Sequence, residues 1–346
     1  MQSKWIGGRR WDLLWLVGSA GVVPLGLLAV HWGASAAAIN LAVTALVGGP
    51  HLFSTFLATY LDPSFRRAHR WALAALSVLV PAFVVAMTFW DFQVLLSFFI
   101  FAASLHVLHQ NAYLADVYRR RAGRAEPAGS RWIDTGLLLL SFYPVASYKL
   151  VRDDFRLGDV TILIPPFTKT EFTWMAVAAA FAALLLAWIA KTAVEVRRGT
   201  LNVPKTVLIG VTAGVAFLVP VAASGARLEL AFQTVNAWHS IQYLAILWAC
   251  LRMRRERGLA VSPLVARLSR PAAFYGALFA TTVAVLAVVS GITRWDPLGI
   301  TEGQYYYMSI LSMLFIHYAL DTYLFFAAGR RPARPDEIPL AAPLAG

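Results

Sequence analysis

The sequence predicts an all-α, polytopic integral membrane protein of about ten transmembrane helices, with both termini cytoplasmic. Three observations predict it. The 346 residues are 59% hydrophobic and 14% charged, with a mean hydropathy of +0.63, whereas soluble domains carry roughly 25% charged residues. Apolar runs close to the ~20 residues that cross a bilayer recur along the whole chain. Blocks of arginine and lysine fall at every second connection between those runs, as cytoplasmic loops do.

The runs lie at approximately 12–32, 36–60, 71–91, 93–118, 132–150, 172–194, 206–223, 228–251, 272–293 and 305–328. The first follows a basic start and mimics a secretory signal. From Leu13 to His31 it is longer than the ~7–15 residues of a signal core, so it reads as a retained helix. Arg9 and Arg10 precede it, and Arg66, Arg67 and Arg70 follow the second run. Arg119, Arg120, Arg121, Arg124 and Arg131 follow the fourth, and Lys191, Arg197, Arg198 and Lys205 surround the connection from sixth to seventh. Arg252, Arg254, Arg255, Arg257, Arg267 and Arg270 follow the eighth, and Arg330, Arg331 and Arg334 the tenth. The other connections are neutral, acidic or balanced: between the fifth and sixth runs, Arg152 and Arg156 stand against Asp153, Asp154 and Asp159. A missed helix would break this alternation.

The connection from Lys149 to Thr170 contains the apolar stretch ILIPPF and predicts a re-entrant or interfacial segment on the outer side. One membrane domain is expected over 1–329, then a Pro/Ala-rich, disordered cytoplasmic tail over 330–346. The net charge of +12 does not point to nucleic acid, because the arginines form short blocks rather than a basic face or arm. The single Cys250 excludes intrachain disulfides and argues against a thiolate metal cluster. The expected location is a bacterial cytoplasmic (inner) membrane.

Histidines fall near the middle of four of the runs: His51, the pair His106 and His109, His239, and His317. Each of those runs ends at a charged marker, Asp62, Arg119, Arg252 or Arg330, and the histidines stand 10 to 13 residues before it. At 1.5 Å per residue this puts all five imidazoles roughly 15–20 Å from one interface, a single layer near the midplane of a ~30 Å core. Ionisable groups at that depth are costly and mark functional sites. Imidazole is the commonest metal ligand, accepted by iron, zinc and copper. His106 and His109 are three apart, so both can face one centre. Asp321 is the carboxylate that falls well inside a run, four residues after His317. It is a candidate ligand or, in the favoured reading, the acceptor that orients His317. Tyr243 and Gln242 follow His239 by four and three residues and point near the same layer, for hydrogen bonding between helices or for support of a site. Gly48-Gly49-Pro50 permits a kink that turns His51 inward. His31 and His69 lie at interfaces and are set aside.

These four elements resemble the Brp/Blh family, the membrane β-carotene 15,15′-dioxygenases. Gly48-Gly49-Pro50-His51 is similar to its G-x-P-H-G element, and the stretch from His106 or His109 to Asp116 to its I-H-F segment with a following Asp. Trp238-His239 to Trp248 stands where the family has I-H-x-x-x-H, and His317 to Asp321 where it has P-H followed by L-I-D. The resemblance covers about a quarter of the chain. Leu52 replaces a glycine, Tyr243 a histidine and Ile316 a proline of the family pattern. The resemblance implies a mononuclear non-haem iron(II) bound mainly by histidines, with O₂ and a carotenoid as substrates.

The reading that follows is an oxygenase that takes O₂ and a lipophilic substrate, carotenoid-like or lipid, from the surrounding membrane lipid. Fe(II) is bound by His51, His109, His239 and His317, with His106 as a fifth ligand or on a second metal, and Tyr243 and Asp321 in supporting catalytic roles. Phe53, Phe56, Phe315, Trp238 and Tyr318 are candidate tunnel residues. Two alternatives stand beside it. One is a haem protein with paired axial histidines, in electron transfer or haem handling. The other is a proton- or ion-coupled transporter, although the chain carries no internal repeat. Hydrolase signatures such as G-x-S-x-G and H-E-x-x-H are absent from the sequence. The midplane depth also differs from the helix-end histidine boxes of desaturases.

Overall fold

The computed structural model describes residues 5–123, 126–224, 228–256, 258 and 263–324. The expected tail and Arg124, Arg257, Arg330, Arg331 and Arg334 lie outside them. Among the described residues the chain folds into thirteen longer helical segments and one short 3-10 turn, Pro166–Thr168. These are α1 Arg9–His31, α2 Ala36–Ala58, α3 Pro63–Ala68, α4 Arg70–Trp90, α5 Phe92–Arg121, α6 Ala128–Leu140 and α7 Tyr143–Arg152. They continue as α8 Glu171–Arg197, α9 Val203–Ala222, α10 Leu228–Glu256, α11 Pro263–Leu268, α12 Pro271–Trp295 and α13 Glu302–Thr322. Among the described residues seven of them (α1, α2, α4, α5, α8, α9 and α12) are long and apolar enough to cross a membrane. The class is therefore an all-α integral membrane protein.

Each of the ten apolar runs is helical over most of its described length, but the fifth is not one helix. It breaks at the turn Ser141–Phe142 into α6 and α7. Pro144 is the cause: it has no N–H to give Leu140, and its ring crowds the carbonyl four residues back. The connection after α7 also departs from helix, forming a short hairpin of β1 Arg156–Leu157 and β2 Val160–Thr161, with Arg156 opposite Thr161. α8 then starts just after Thr170, whose hydroxyl caps it by accepting from the Thr173 N–H at 3.2 Å.

The described chain forms two compact units, one reaching Asn40 and resuming over Ile100–His239, the other comprising Leu41–Phe99 and the chain from Ser240 onward. The boundaries fall inside α2, α5 and α10, so each of these helices contributes to both units.

In the first unit, α1, α5 and α10 bury Val23, Val107, Val235 and Trp238 together. A second core joins Ala115 of α5, Leu138 of α6, Phe181 of α8 and Ile209 of α9. The end of α5 carries a network of charges. Lys205, fully buried, holds Glu126 at 2.7 Å and Asp134 at 3.0 Å. Arg119 reaches Glu126 at 3.0 Å, Asp134 at 2.9 Å and also Asp116. Lys191 joins through Asp134 and Glu195, and Arg131 through Asp116. Four cations, of which Arg131 is exposed, meet four anions, so the network is neutral. Burial raises the Glu126 carboxyl, but Lys205 and Arg119 outweigh it and hold its pKa below 4.5.

In the second unit, Leu73 of α4 packs with Ile316 and Leu320 of α13 beneath Phe56 of α2. α2 widens to a π-turn over Thr44–Gly48 just before Gly49 and Pro50. Pro50 has no N–H for the Leu46 carbonyl four residues back. The Tyr275 hydroxyl of α12 donates to that carbonyl instead, at 2.7 Å. Gly49 permits the close approach of α12: a Cβ there would clash with Thr282 Cγ2 and stand 2.9 Å from the Thr44 carbonyl. Gly49→Ala is expected to cost about 1–3 kcal/mol by overpacking. Thermal unfolding should show the loss, and Thr282→Ala in the same chain should return part of it. An undiminished midpoint in Gly49→Ala would mean that α2 and α12 do not meet here.

Candidate functional site

Residues four apart on a helix lie one above the other. α2 uses this to set His51 and Thr55 on one face, and α13 to set His317 and Asp321 on one face. α10 supplies Tyr243 from the part that belongs to the second unit. All five side chains are in that unit, and none is more than 4% exposed.

Their contacts form one hydrogen-bonded group. His51 Nε2 and His317 Nε2 stand 2.9 Å apart. The Thr55 hydroxyl oxygen lies 2.8 Å from His317 Nδ1, 3.0 Å from Asp321 Oδ1 and 2.6 Å from the Tyr243 hydroxyl. The Tyr243 hydroxyl in turn lies 2.7 Å from Asp321 Oδ1. The Tyr243 ring packs edge-on against the His51 ring, with centroids 4.3 Å apart.

With Asp321 ionised, as beside a bound cation, proton positions follow from these neighbours. An ionised carboxylate only accepts, so Tyr243 and Thr55 both donate to Asp321 Oδ1. With its proton spent on Asp321, Thr55 can only accept from His317, which therefore donates through Nδ1. His317 Nε2 is left with its lone pair, directed at His51. A carboxylate that fixes the tautomer and aim of an imidazole is the usual support of a metal-binding histidine. Here it acts through a threonine hydroxyl: Asp321 is 3.6 Å from His317 Nδ1, with Thr55 bridging.

The pair has the spacing of ligands on one ion. Imidazole–metal bonds are about 2.0–2.1 Å, so two nitrogens at right angles around an ion stand about 2.9 Å apart, and two on opposite sides about 4.1 Å. Donor atoms of His51, His317 and Asp321 all lie within 4.8 Å of one another.

The other expected site residues fall in the first unit. His106 of α5 and His239 of α10 pack edge-on there, with centroids 5.0 Å apart. Gln110 donates to the His239 carbonyl at 3.2 Å. His109, half-buried, follows on α5. Among the described residues, neither His109 nor His239 belongs to a group of three or more candidate ligands. Within the units, four of the five imidazoles thus meet in pairs, His51 with His317 and His106 with His239.

Of the tunnel candidates, Trp238 is 1% exposed within the first unit's core, and Phe56 packs on the second's. Phe315 touches Tyr318, whose ring lies 5.6 Å from that of His317. Of the histidines set aside, His69 takes a 3.1 Å hydrogen bond with the Tyr323 hydroxyl. Thr55 is the residue that sequence reasoning missed. Its signal is the spacing of four from His51, the same spacing that singles out Asp321.

Comparisons with family models, with curated proteins and with solved structures find no match.

Proposed function

We propose that the second unit holds a transition metal on His51 and His317, and that the protein is a membrane-embedded non-haem iron oxygenase for a lipophilic substrate. The observation that carries this reading is the pair of buried Nε2 atoms 2.9 Å apart, the separation of adjacent ligands. The same distance disfavours haem, whose two axial imidazoles would need about 4 Å. Two imidazoles with a nearby carboxylate and open positions form the donor set of non-haem iron(II) oxygenases. Asp321 supplies the negative charge that a divalent ion needs in an apolar interior. It keeps His317 in the ligating tautomer through Thr55, while Tyr243 anchors the carboxylate and braces the His51 ring. Iron, when bound, would supply the activation of O₂. The apolar helices around it favour a substrate drawn from the bilayer, and the likeness of the histidine motifs to the carotenoid dioxygenases supports a long hydrocarbon.

Metal analysis and an optical spectrum of the purified protein test the proposal. Iron near one atom per chain with no Soret band is the expected result. A Soret band would replace the reading with a haem protein, and copper or zinc would change the metal and the chemistry.

A second reading rests on one observation. His51, His317, Thr55 and Asp321 form a continuous hydrogen-bonded run without any ion, as a proton path would. That reading expects protein free of transition metal, with proton movement lost in Thr55→Val.

A further inference from the structure

A separate group of residues lies at the Asp62 end of the second unit, where three chain segments are tied together. Asp62, at the start of α3, accepts from Arg254 near the end of α10 at 2.6 Å. Trp248, six residues earlier on α10, donates to the Ser269 carbonyl after α11 at 3.1 Å. These two bonds gather the residues 66–70, 252–255 and 267–270 to one end. Within them Arg252 pairs with Glu256 at 2.7 Å, and Arg254 is spent on Asp62. Six arginines remain exposed: Arg66, Arg67, Arg70, Arg255, Arg267 and Arg270. Among the described residues none of the six is in an ion pair with a carboxylate. The eight arginines face Asp62 and Glu256, a local charge of +6.

The same end is apolar between its charges. Trp71 is 76% exposed with the Arg70 guanidinium 5.2 Å over its ring. Leu61 and Leu264 are 45% and 49% exposed. Guanidinium groups suit phosphate, but a free anion has no use for exposed tryptophan and leucine. An amphiphile uses both, and arginines with aromatic rings at a helix end are the pattern of a membrane interface.

We infer that this end is a binding site for an anionic phospholipid, with the arginines on the headgroup phosphate and Trp71, Leu61 and Leu264 on the acyl chains. It is independent of the metal centre. Basic clusters beside a membrane-spanning helix attract anionic lipid in this way.

Native mass spectrometry of the purified full chain in detergent, titrated with dioleoylphosphatidylglycerol or dioleoylphosphatidylcholine, reads the site directly. Phosphatidylglycerol should be retained at least about tenfold more tightly, and an excess of inorganic phosphate should not displace it. Arg255→Gln and Arg267→Gln should each weaken phosphatidylglycerol about fivefold and leave phosphatidylcholine unchanged. Equal retention of the two lipids by the unsubstituted chain would overturn the inference whether or not the variants fold. Displacement by inorganic phosphate would overturn it in favour of a simple anion site, and undiminished binding in the variants would place the lipid elsewhere.

Discussion

Replacing His317 by alanine is expected to reduce bound metal to background, while His69→Ala keeps the wild-type amount. The two residues differ in surroundings, not in type. His317 is buried against a second imidazole with a carboxylate behind it, whereas His69 meets a tyrosine hydroxyl. The same measurement grades the supporting residues. Asp321→Asn leaves both imidazoles in place but weakens the hold on the His317 tautomer, and loss of such a partner costs about 10–100-fold in metal affinity. Thr55→Val should act in the same direction, because the carboxylate reaches the ring only through that hydroxyl. Competition with a chelator, on variants that remain monodisperse, gives the affinities. Equal metal content in His317→Ala and His69→Ala would mean that the pair is not a metal site.

Arg254→Ala is expected to be the most destabilising of the charge deletions in the second unit. It leaves Asp62 buried without its cation, a loss of about 3–5 kcal/mol. The pH dependence identifies the cause. Burial raises the Asp62 carboxyl, but the Ser64 hydroxyl, the Phe65 N–H and Arg254 outweigh it and hold its pKa below 3.8. A group depressed in the folded state stabilises the fold fully above its unfolded value and loses that contribution as pH falls through the folded one. The wild-type chain therefore keeps this contribution at neutral pH and surrenders it only in acid below 3.8. In Arg254→Ala the carboxylate keeps its Ser64 and Phe65 donors but lacks its cation, a burden that protonation relieves, so the gap between variant and wild type should narrow on acidification. Thermal unfolding at a series of pH values measures this. A gap that stays constant would assign the loss to packing of the arginine stem instead.

What could be read from the sequence was position along each helix. Counting residues from a charged marker at 1.5 Å apiece gives the depth of His51, His106, His239 and His317, and the apolar runs give the helices on which they ride. The count carries no rotation about the helix axis, and rotation decides which rings meet. The structure sets His51 against His317, and His106 against His239, a grouping that equal depth does not distinguish. Spacing along one helix does carry rotation, which is why Asp321 was legible from His317; Thr55 has the same spacing from His51, but a threonine hydroxyl marks no site until its partners on other helices are known. The break in the fifth run was visible in Pro144 but hidden by the apolar residues around it. The hairpin over Arg156–Thr161 was not visible, since a stretch of mixed charge and aliphatic residues carries no strand period at that length.

The balanced charges at the end of α5 impose an order on biogenesis. Glu126 and Asp134 leave the ribosome well before Lys191 and Lys205, which complete their neutralisation. Until α9 is made, the nascent chain must keep Glu126 and Asp134 in contact with water, so this corner can close only late in synthesis. A chain truncated before Lys205 would present unneutralised acid to whatever machinery inspects newly inserted membrane proteins.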